Sequence, residues 1–210
     1  MKAPPGDADT AASVTSESLV YRLLSGAIGL WCRLAHGLRI EGSEHVPSAG
    51  GVLLVANHES ALDIPLIAAA TPRHVGFVAR ASLGRSPVLA RIMASCGAVL
   101  VRPGEPDRGA LRAMVERLRG GDCLAIFPEG TRSADGSLGE FRGGGVLAAR
   151  RARAPIVPLG IRGAGRAWPI GARRPRRGRV ALHFGPALDP AAPDVLAQAR
   201  RAVARLVDGP

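Results

Sequence analysis

The 210-residue sequence predicts an α/β fold, a single domain with a mostly parallel β-sheet flanked by helices. Three observations predict it. Apolar runs of strand length recur at residues 52–56, 74–79, 97–101, 122–127, 155–161 and 179–184. Segments with helical spacing stand between most of them, as in chains of right-handed βαβ crossovers. Two polar clusters, 57–63 and 128–133, each follow directly on an apolar run, which is where ligand-binding loops lie in parallel sheets. Apolar residues make up 47% of the chain and aromatics only 3%, so Ala, Val, Leu and Ile must build the interior. No internal repeat is visible.

The elements follow in order. Residues 1–18 hold Pro, Ala, Asp and Ser with no apolar core, which excludes a secretory signal and reads as a disordered lead-in. Residues 19–38 form the most apolar N-terminal window. Arg22 and Arg33 bracket a ten-residue run, far short of the roughly 20 residues that span a bilayer. A helix lying in the membrane interface suits it, with Tyr21 and Trp31 at headgroup depth; the alternative is a helix that covers the core. The domain proper is then 39–210. Residues 38–42 make an edge-like strand, 46–51 a turn and 52–56 a buried strand. A helix over 61–70 stops at Thr71-Pro72, and a strand follows at 74–79. A helix over 87–95 has Pro87 at its start, and a strand occupies 97–101. Leu111, Met114, Val115 and Leu118 share one face of a helix over 107–119, which Gly120-Gly121 ends. A buried strand at 122–127 leads into the second polar cluster. Gly143-Gly144-Gly145 opens a short helix to Arg153, and strands at 155–161 and 179–184 precede a closing helix at 193–207.

The formal charge of +11 rests almost wholly on arginine, since Lys2 is the one lysine. Such an excess points to a partner of negative sign, and Arg makes forked contacts to phosphate that Lys cannot. Between Glu140 and Asp189 there is no acidic residue, while Arg150, Arg151, Arg153, Arg162, Arg166, Arg173, Arg174, Arg176, Arg177 and Arg179 accumulate. This stretch suits docking on anionic lipid or steering of an acidic or phosphorylated donor, or is simply a solvated basic face. Nucleic acid is not the expected partner: aromatics for base stacking are scarce and no binding motif is present. Cys32, Cys96 and Cys123 have neither disulfide nor metal spacing and read as buried free thiols in a reducing compartment.

The first polar cluster is Asn57-His58-Glu59-Ser60-Ala61-Leu62-Asp63. A neutral imidazole can take a proton near pH 7, and a carboxylate on its other nitrogen fixes the tautomer and raises its basicity. Five residues is a poor spacing on one helix. It works with His58 in a loop and Asp63 in the first turn of the helix that follows. Ser60 with Asp63 also resembles a capping box, so a plain helix start is the competing reading. In the second cluster, Glu129-Gly130-Thr131-Arg132 offers a carboxylate, a permissive backbone, a hydroxyl and a guanidinium, a set suited to a ligand with hydroxyls and a phosphate.

Asn57-His58-x4-Asp63 followed by Phe127-Pro128-Glu129-Gly130-Thr131-Arg132-Ser133 resembles the glycerolipid acyltransferase family, in particular its bacterial 1-acyl-sn-glycerol-3-phosphate (lysophosphatidate) acyltransferases. Gly97-Ala98-Val99-Leu100-Val101-Arg102 and Ile156-Val157-Pro158-Leu159 match two further blocks, so the resemblance covers roughly residues 38–185. It implies a glycerol-3-phosphate acyltransferase-like fold and acyl transfer from acyl-CoA or acyl-carrier protein to the sn-2 hydroxyl of lysophosphatidate. His58 would be the general base and Asp63 its orienting partner, with no metal, no cofactor and no acyl-enzyme. Glu129, Gly130 and Thr131 would bind the acceptor and Arg132 its phosphate, with Arg102 a second phosphate candidate. Arg80 stands where the family more often has Lys. The turn after His58 is the candidate source of oxyanion donors. The acceptor could equally be another lysolipid such as lyso-ornithine lipid. The implied location is the cytoplasmic face of the cell membrane, peripheral or monotopic.

Overall fold

The computed structural model describes residues 19–80, 98–101 and 107–209. Seven strands form one sheet: β1 (Arg39–Glu41), β2 (Val52–Ala56), β3 (Val75–Arg80), β4 (Val99–Val101), β5 (Cys123–Ile126), β6 (Ile156–Arg162) and β7 (Ala181–Phe184). Their order is β1-β7-β6-β2-β5-β3-β4, and every pairing is parallel except β6 with β7. The mostly parallel sheet is as the sequence predicts. The antiparallel pair arises because β6 reaches β7 without a long crossover helix, through the short helix α5 (Ala164–Ala167) and a loop.

β2 is central, and all five of its residues are fully buried. Leu54 faces one side, with Cys32 of α1 (Leu19–His36) and Leu66 and Ile67 of α2 (Asp63–Ala70). Leu53 and Val55 face the other. There they share a layer with Met114 and Leu118 of α3 (Arg108–Arg119), Val146 of α4 (Gly144–Ala152) and Val203 of α6 (Val195–Asp208). Burial on both faces is why this strand reads as an unbroken apolar run rather than an alternation. Helix starts are set locally: Asp107 caps α3 by accepting from the Ala110 amide at 2.9 Å. Gly51, just before β2, is pressed so closely on the Leu118 carbonyl that a Cβ has no room.

Several expectations need adjusting. The predicted helix at 87–95, the lead-in at 1–18 and the block residue Arg102 lie outside the described residues. A short 3-10 turn at Ser43–His45 and the helix α5 have no apolar period to betray them. Tyr21 is not an interface anchor: it is buried, its hydroxyl accepts from the Val75 amide at 3.2 Å, and its ring lies 4.2 Å from that of His74. The N-terminal helix is instead two-sided. Tyr21, Cys32 and His36 face inward, and the helix packs on α2. Leu23, Leu30, Trp31 and Leu34 remain exposed, Leu34 at 79%. Among the described residues no helix is long and apolar enough to cross a membrane.

Candidate active site

β2 and β5 are parallel neighbours with Val55 opposite Ile126, so residues 58 and 129 leave the sheet at the same level. The two polar clusters therefore meet at the carboxyl edge of the sheet, as expected for loops in a parallel α/β fold.

His58 lies in the loop after β2, and Asp63 is the first residue of α2. His58 Nδ1 is 2.8 Å from Asp63 Oδ2. That same oxygen accepts from the backbone amides of Glu59 at 2.7 Å and Ser60 at 2.8 Å. Asp63 is wholly buried and its Oδ1 has no hydrogen-bond partner among the described residues. Because the carboxylate oxygen only accepts, the Nδ1 beside it carries the proton, which leaves Nε2 with a lone pair. The two readings of the sequence are thus both realised in one oxygen: Asp63 reaches back to the Ser60 amide as a helix-start carboxylate does, and orients His58 as well. Ser60 Oγ accepts from the Leu62 amide at 3.2 Å and donates to the Trp168 carbonyl at 2.9 Å. The Glu59 and Ser60 amides of the turn expected to supply oxyanion donors are taken up by Asp63, and the Leu62 amide by Ser60 Oγ.

Three supports hold the His58 ring. It stacks on Phe127, the residue after β5, with centroids 3.9 Å apart and planes 15° apart. Its backbone amide donates to Glu129 Oε1 at 3.0 Å, and its carbonyl accepts from the Ser133 amide at 2.7 Å. Just before it, Asn57 uses a side-chain amide to continue the β2–β6 ladder: Oδ1 accepts from the Ile161 amide at 2.8 Å and Nδ2 donates to the Ile161 carbonyl at 2.9 Å. The block 156–159 accordingly serves through β6, the strand that receives this side chain.

Glu129 differs from the expectation that it meets substrate hydroxyls. It is buried, and while Oε1 holds the His58 amide, Oε2 accepts from the Gly139 amide at 2.9 Å. Its carboxylate ties the two loops together and holds the His58 backbone. Gly130 has φ 71°, the left-handed region that favours glycine. Thr131 and Arg132 are exposed, and Arg132 has no hydrogen-bond or ion-pair partner among the described residues. The structure brings His58, Asp63, Glu129, Gly130, Thr131 and Arg132 together; Arg80 ends β3 at the same sheet edge, level with Pro128 by the β3–β5 register, and Arg102 lies outside the described residues.

Sequence reasoning missed Arg142. Its backbone amide donates to the Pro128 carbonyl at 3.0 Å, and its guanidinium lies over Gly130, about where a Cβ at that glycine would meet it at 3.5 Å. It is exposed and unpaired among the described residues. Placed before Gly143-Gly144-Gly145, it looked like part of a turn; only the return of the chain to Pro128 reveals it as a cation over the second polar cluster. Between these cations, Asp135 folds the loop by accepting from Ser137 and Ser133, which draw its carboxyl down to about 2.

On the other side of His58, the Glu59 carboxylate accepts from Asn57 Nδ2 at 3.2 Å and the Gly165 amide at 3.3 Å. Burial raises its carboxyl pKa, and the nearby Asp63 charge adds to that rise, against the lowering effect of these bonds and of Arg166. A cleft of about 440 Å³ opens beside it, lined also by Ser133, Arg166, Ile170 and Arg176. Among the described residues no group of His, Cys, Asp and Glu is arranged to hold a metal ion. Cys123 is buried in β5 and its thiol is pushed up to about 12, so it is no nucleophile.

Together these groups make a base with a fixed tautomer between an apolar stacking partner and two free cations, an arrangement able to deprotonate a hydroxyl on a phosphate-bearing molecule. The family model described as Acyltransferase matches residues 37–162. A chloroplastic 1-acyl-sn-glycerol-3-phosphate acyltransferase of Arabidopsis thaliana is 30% identical over 149 residues, which are 68% of this chain and 42% of that protein. A probable 1-acyl-sn-glycerol-3-phosphate acyltransferase of Mycoplasma pneumoniae is 36% identical over 158 residues, 69% of this chain and 55% of that one. The chain thus spans about two fifths to half of the length of these relatives. The crystal structure of the 1-acyl-sn-glycerophosphate (LPA) acyltransferase from Thermotoga maritima superposes with a TM-score of 0.76 at 27% identity, covering 89% of this chain and 78% of that one.

Proposed function

The chain belongs to the acyltransferase family, and from that premise we propose that it transfers a fatty acyl group from a thioester, acyl-CoA or acyl-carrier protein, to the sn-2 hydroxyl of 1-acylglycerol-3-phosphate, giving phosphatidate. The observation that carries this is the buried Asp63 oxygen on His58 Nδ1, which leaves Nε2 as an oriented base at the sheet edge.

The chemistry follows from the geometry. Nε2 removes the acceptor hydroxyl proton as the oxygen attacks the thioester carbonyl. A C–O bond forms, the carbonyl becomes a tetrahedral oxyanion, and the imidazolium shares its charge with Asp63. When the intermediate collapses the C–S bond breaks, and Nε2 returns the proton to the departing thiolate. No acyl-enzyme is needed, because the base activates the acceptor directly. Arg142 lies over Gly130, and with Arg132, two residues further on in the same loop, it would take the acceptor phosphate. Glu129 acts through His58, as a positioning residue.

The exposed leucines of α1 and Trp31, with the arginine excess, support a peripheral or monotopic position on an anionic membrane surface, at the cytoplasmic face where the acyl donors are. The test is incubation of purified protein with labelled acyl-CoA and a panel of lysolipids, lyso-ornithine lipid included, with products identified by mass. Phosphatidate as the dominant product supports the reading. Transfer only to a phosphate-free acceptor overturns it.

A further inference from the structure

A second cavity, of about 380 Å³, lies at strands β1, β7 and β6 and is lined by Arg39, Arg162, Arg166 and Arg179 among others. Register explains how two of these come together. Arg39 of β1 pairs with Ala181 of β7, and Ala181 pairs in turn with Arg162 of β6. Residues opposite one another in a ladder point to the same face, and neighbouring strands are about 4.8 Å apart. Arg39 and Arg162 therefore rise on one face, about 10 Å apart across an alanine too small to fill the space between them. The next row on that face ends in Glu41, the one carboxylate in the lining, and it is held by His183 Nδ1 at 3.1 Å. None of the four arginines forms a salt bridge with a carboxylate among the described residues; Arg162 makes only a 3.4 Å contact with the Asp208 carbonyl. Four arginines line the groove against one carboxylate, Glu41, while Arg166 also acts on the Glu59 carboxylate next door.

The position of the groove tells what it would hold. β1 and β6 run in opposite directions, so the start of β1 and the end of β6 open at the same sheet edge as His58. Arg166 lines both this groove and the cleft beside Glu59 and Ser133, which joins the groove to the His58 loop. In the strand order, β5 with its two free cations lies on one side of β2, and β6, β7 and β1 lie on the other. His58 stands between two separate arginine-bearing regions. We infer that the arginine groove receives the phosphate-bearing end of a nucleotide thioester donor, with the arm that carries the thioester running through the Arg166 cleft to His58. The single phosphate of the acceptor is already provided for on the β5 side, and a donor with several phosphates matches four arginines. A bilayer is the weaker occupant, because Arg39, Ala181 and Arg162 face away from the sheet side on which Ile40 and Leu182 pack with α1, whose leucines are exposed.

This inference rests on the acyltransferase reading, and the test separates the two. Adenosine 3′,5′-bisphosphate and coenzyme A are titrated calorimetrically into the full chain, into Arg39→Gln/Arg162→Gln and into Arg173→Gln/Arg174→Gln, which loses the same charge outside the groove. The groove variant is expected to bind both nucleotides about tenfold or more weakly, in line with lost charge-assisted bonds, and the control variant about as the parent does. In the transfer assay the same variant should raise the KM for acyl-CoA and leave the KM for lysophosphatidate in place. Equal weakening in both variants would mean general electrostatics and overturn the groove, as would unchanged nucleotide binding with loss of sedimentation on phosphatidylglycerol vesicles. Nucleotide binding lost in the groove variant of a protein that transfers to no lysolipid would uphold the groove while the functional reading fails. A competent enzyme with an unchanged donor KM in that variant would do the reverse. Circular dichroism checks the fold, and Arg179→Gln alone gives a milder version of the same comparison.

Discussion

Asp63→Asn probes the mechanism most directly, because the substitution can keep the shape while removing the charge. One oxygen of Asp63 serves three donors, His58 Nδ1 and the amides of Glu59 and Ser60. An asparagine oxygen at the same place can still accept all three, so the loop has no steric reason to move. What changes is the partner of the imidazolium that forms as the acceptor hydroxyl loses its proton. Unit charges 4 Å apart interact by about 4 kcal/mol at the effective dielectric of protein interiors. Two backbone amides already draw on the same oxygen, so about 3–4 kcal/mol is the share available to the transition state, or roughly two to three orders of magnitude in rate. The Asn NH2 group takes the place of Oδ1, which has no partner among the described residues, and a buried unpaired donor costs about 1–3 kcal/mol of stability. The assay is thiol release from acyl-CoA in the presence of lysophosphatidate, beside a thermal melt. A rate loss of less than about tenfold in a folded variant would refute the charge argument.

Three further outcomes follow from the same contacts. Glu129→Gln leaves one of two buried amide bonds facing an NH2 group, so we expect about 2 kcal/mol of lost stability, roughly 6 °C in Tm, together with a lower kcat. An unchanged Tm with only a raised acceptor KM would return Glu129 to the role of ligand. Arg132→Ala and Arg142→Ala should each raise the KM for lysophosphatidate about tenfold or more and spare a phosphate-free monoacylglycerol acceptor; equal losses on both acceptors would remove the phosphate role. For Glu59 the sign is set by its raised pKa. The folded state holds this proton more tightly than the unfolded one, so its contribution to stability falls as pH rises through the unfolded value and is lowest above the folded value. Relative to the parent, Glu59→Gln should therefore gain stability between pH 4 and pH 7 in urea unfolding; a constant difference across that range would mean the carboxyl is not perturbed by its surroundings.

Asp63 shows why part of the site was legible in the sequence and part was not. The His58–Asp63 pair is local: a strand end, a loop and the first turn of a helix fix its geometry within seven residues, and sequence spacing carries that information. The sheet was legible for a similar reason, since doubly covered strands such as 52–56 and 123–126 are apolar throughout. Glu129 was read by its chemistry alone, as an acceptor for hydroxyls. Its partners are set by the β2–β5 register and by a loop that returns through Gly139, and neither leaves a mark on the residues nearby. Arg142 was hidden in the same way, ten residues beyond Arg132 in a stretch without period. Tyr21 failed for the opposite reason: an aromatic near the end of an apolar helix suits an interface and a core equally, and the amide of Val75 decided for the core. The loops of this site thus depend on contacts across the sheet edge, such as those of Glu129 to His58 and Gly139, which a linear reading does not see.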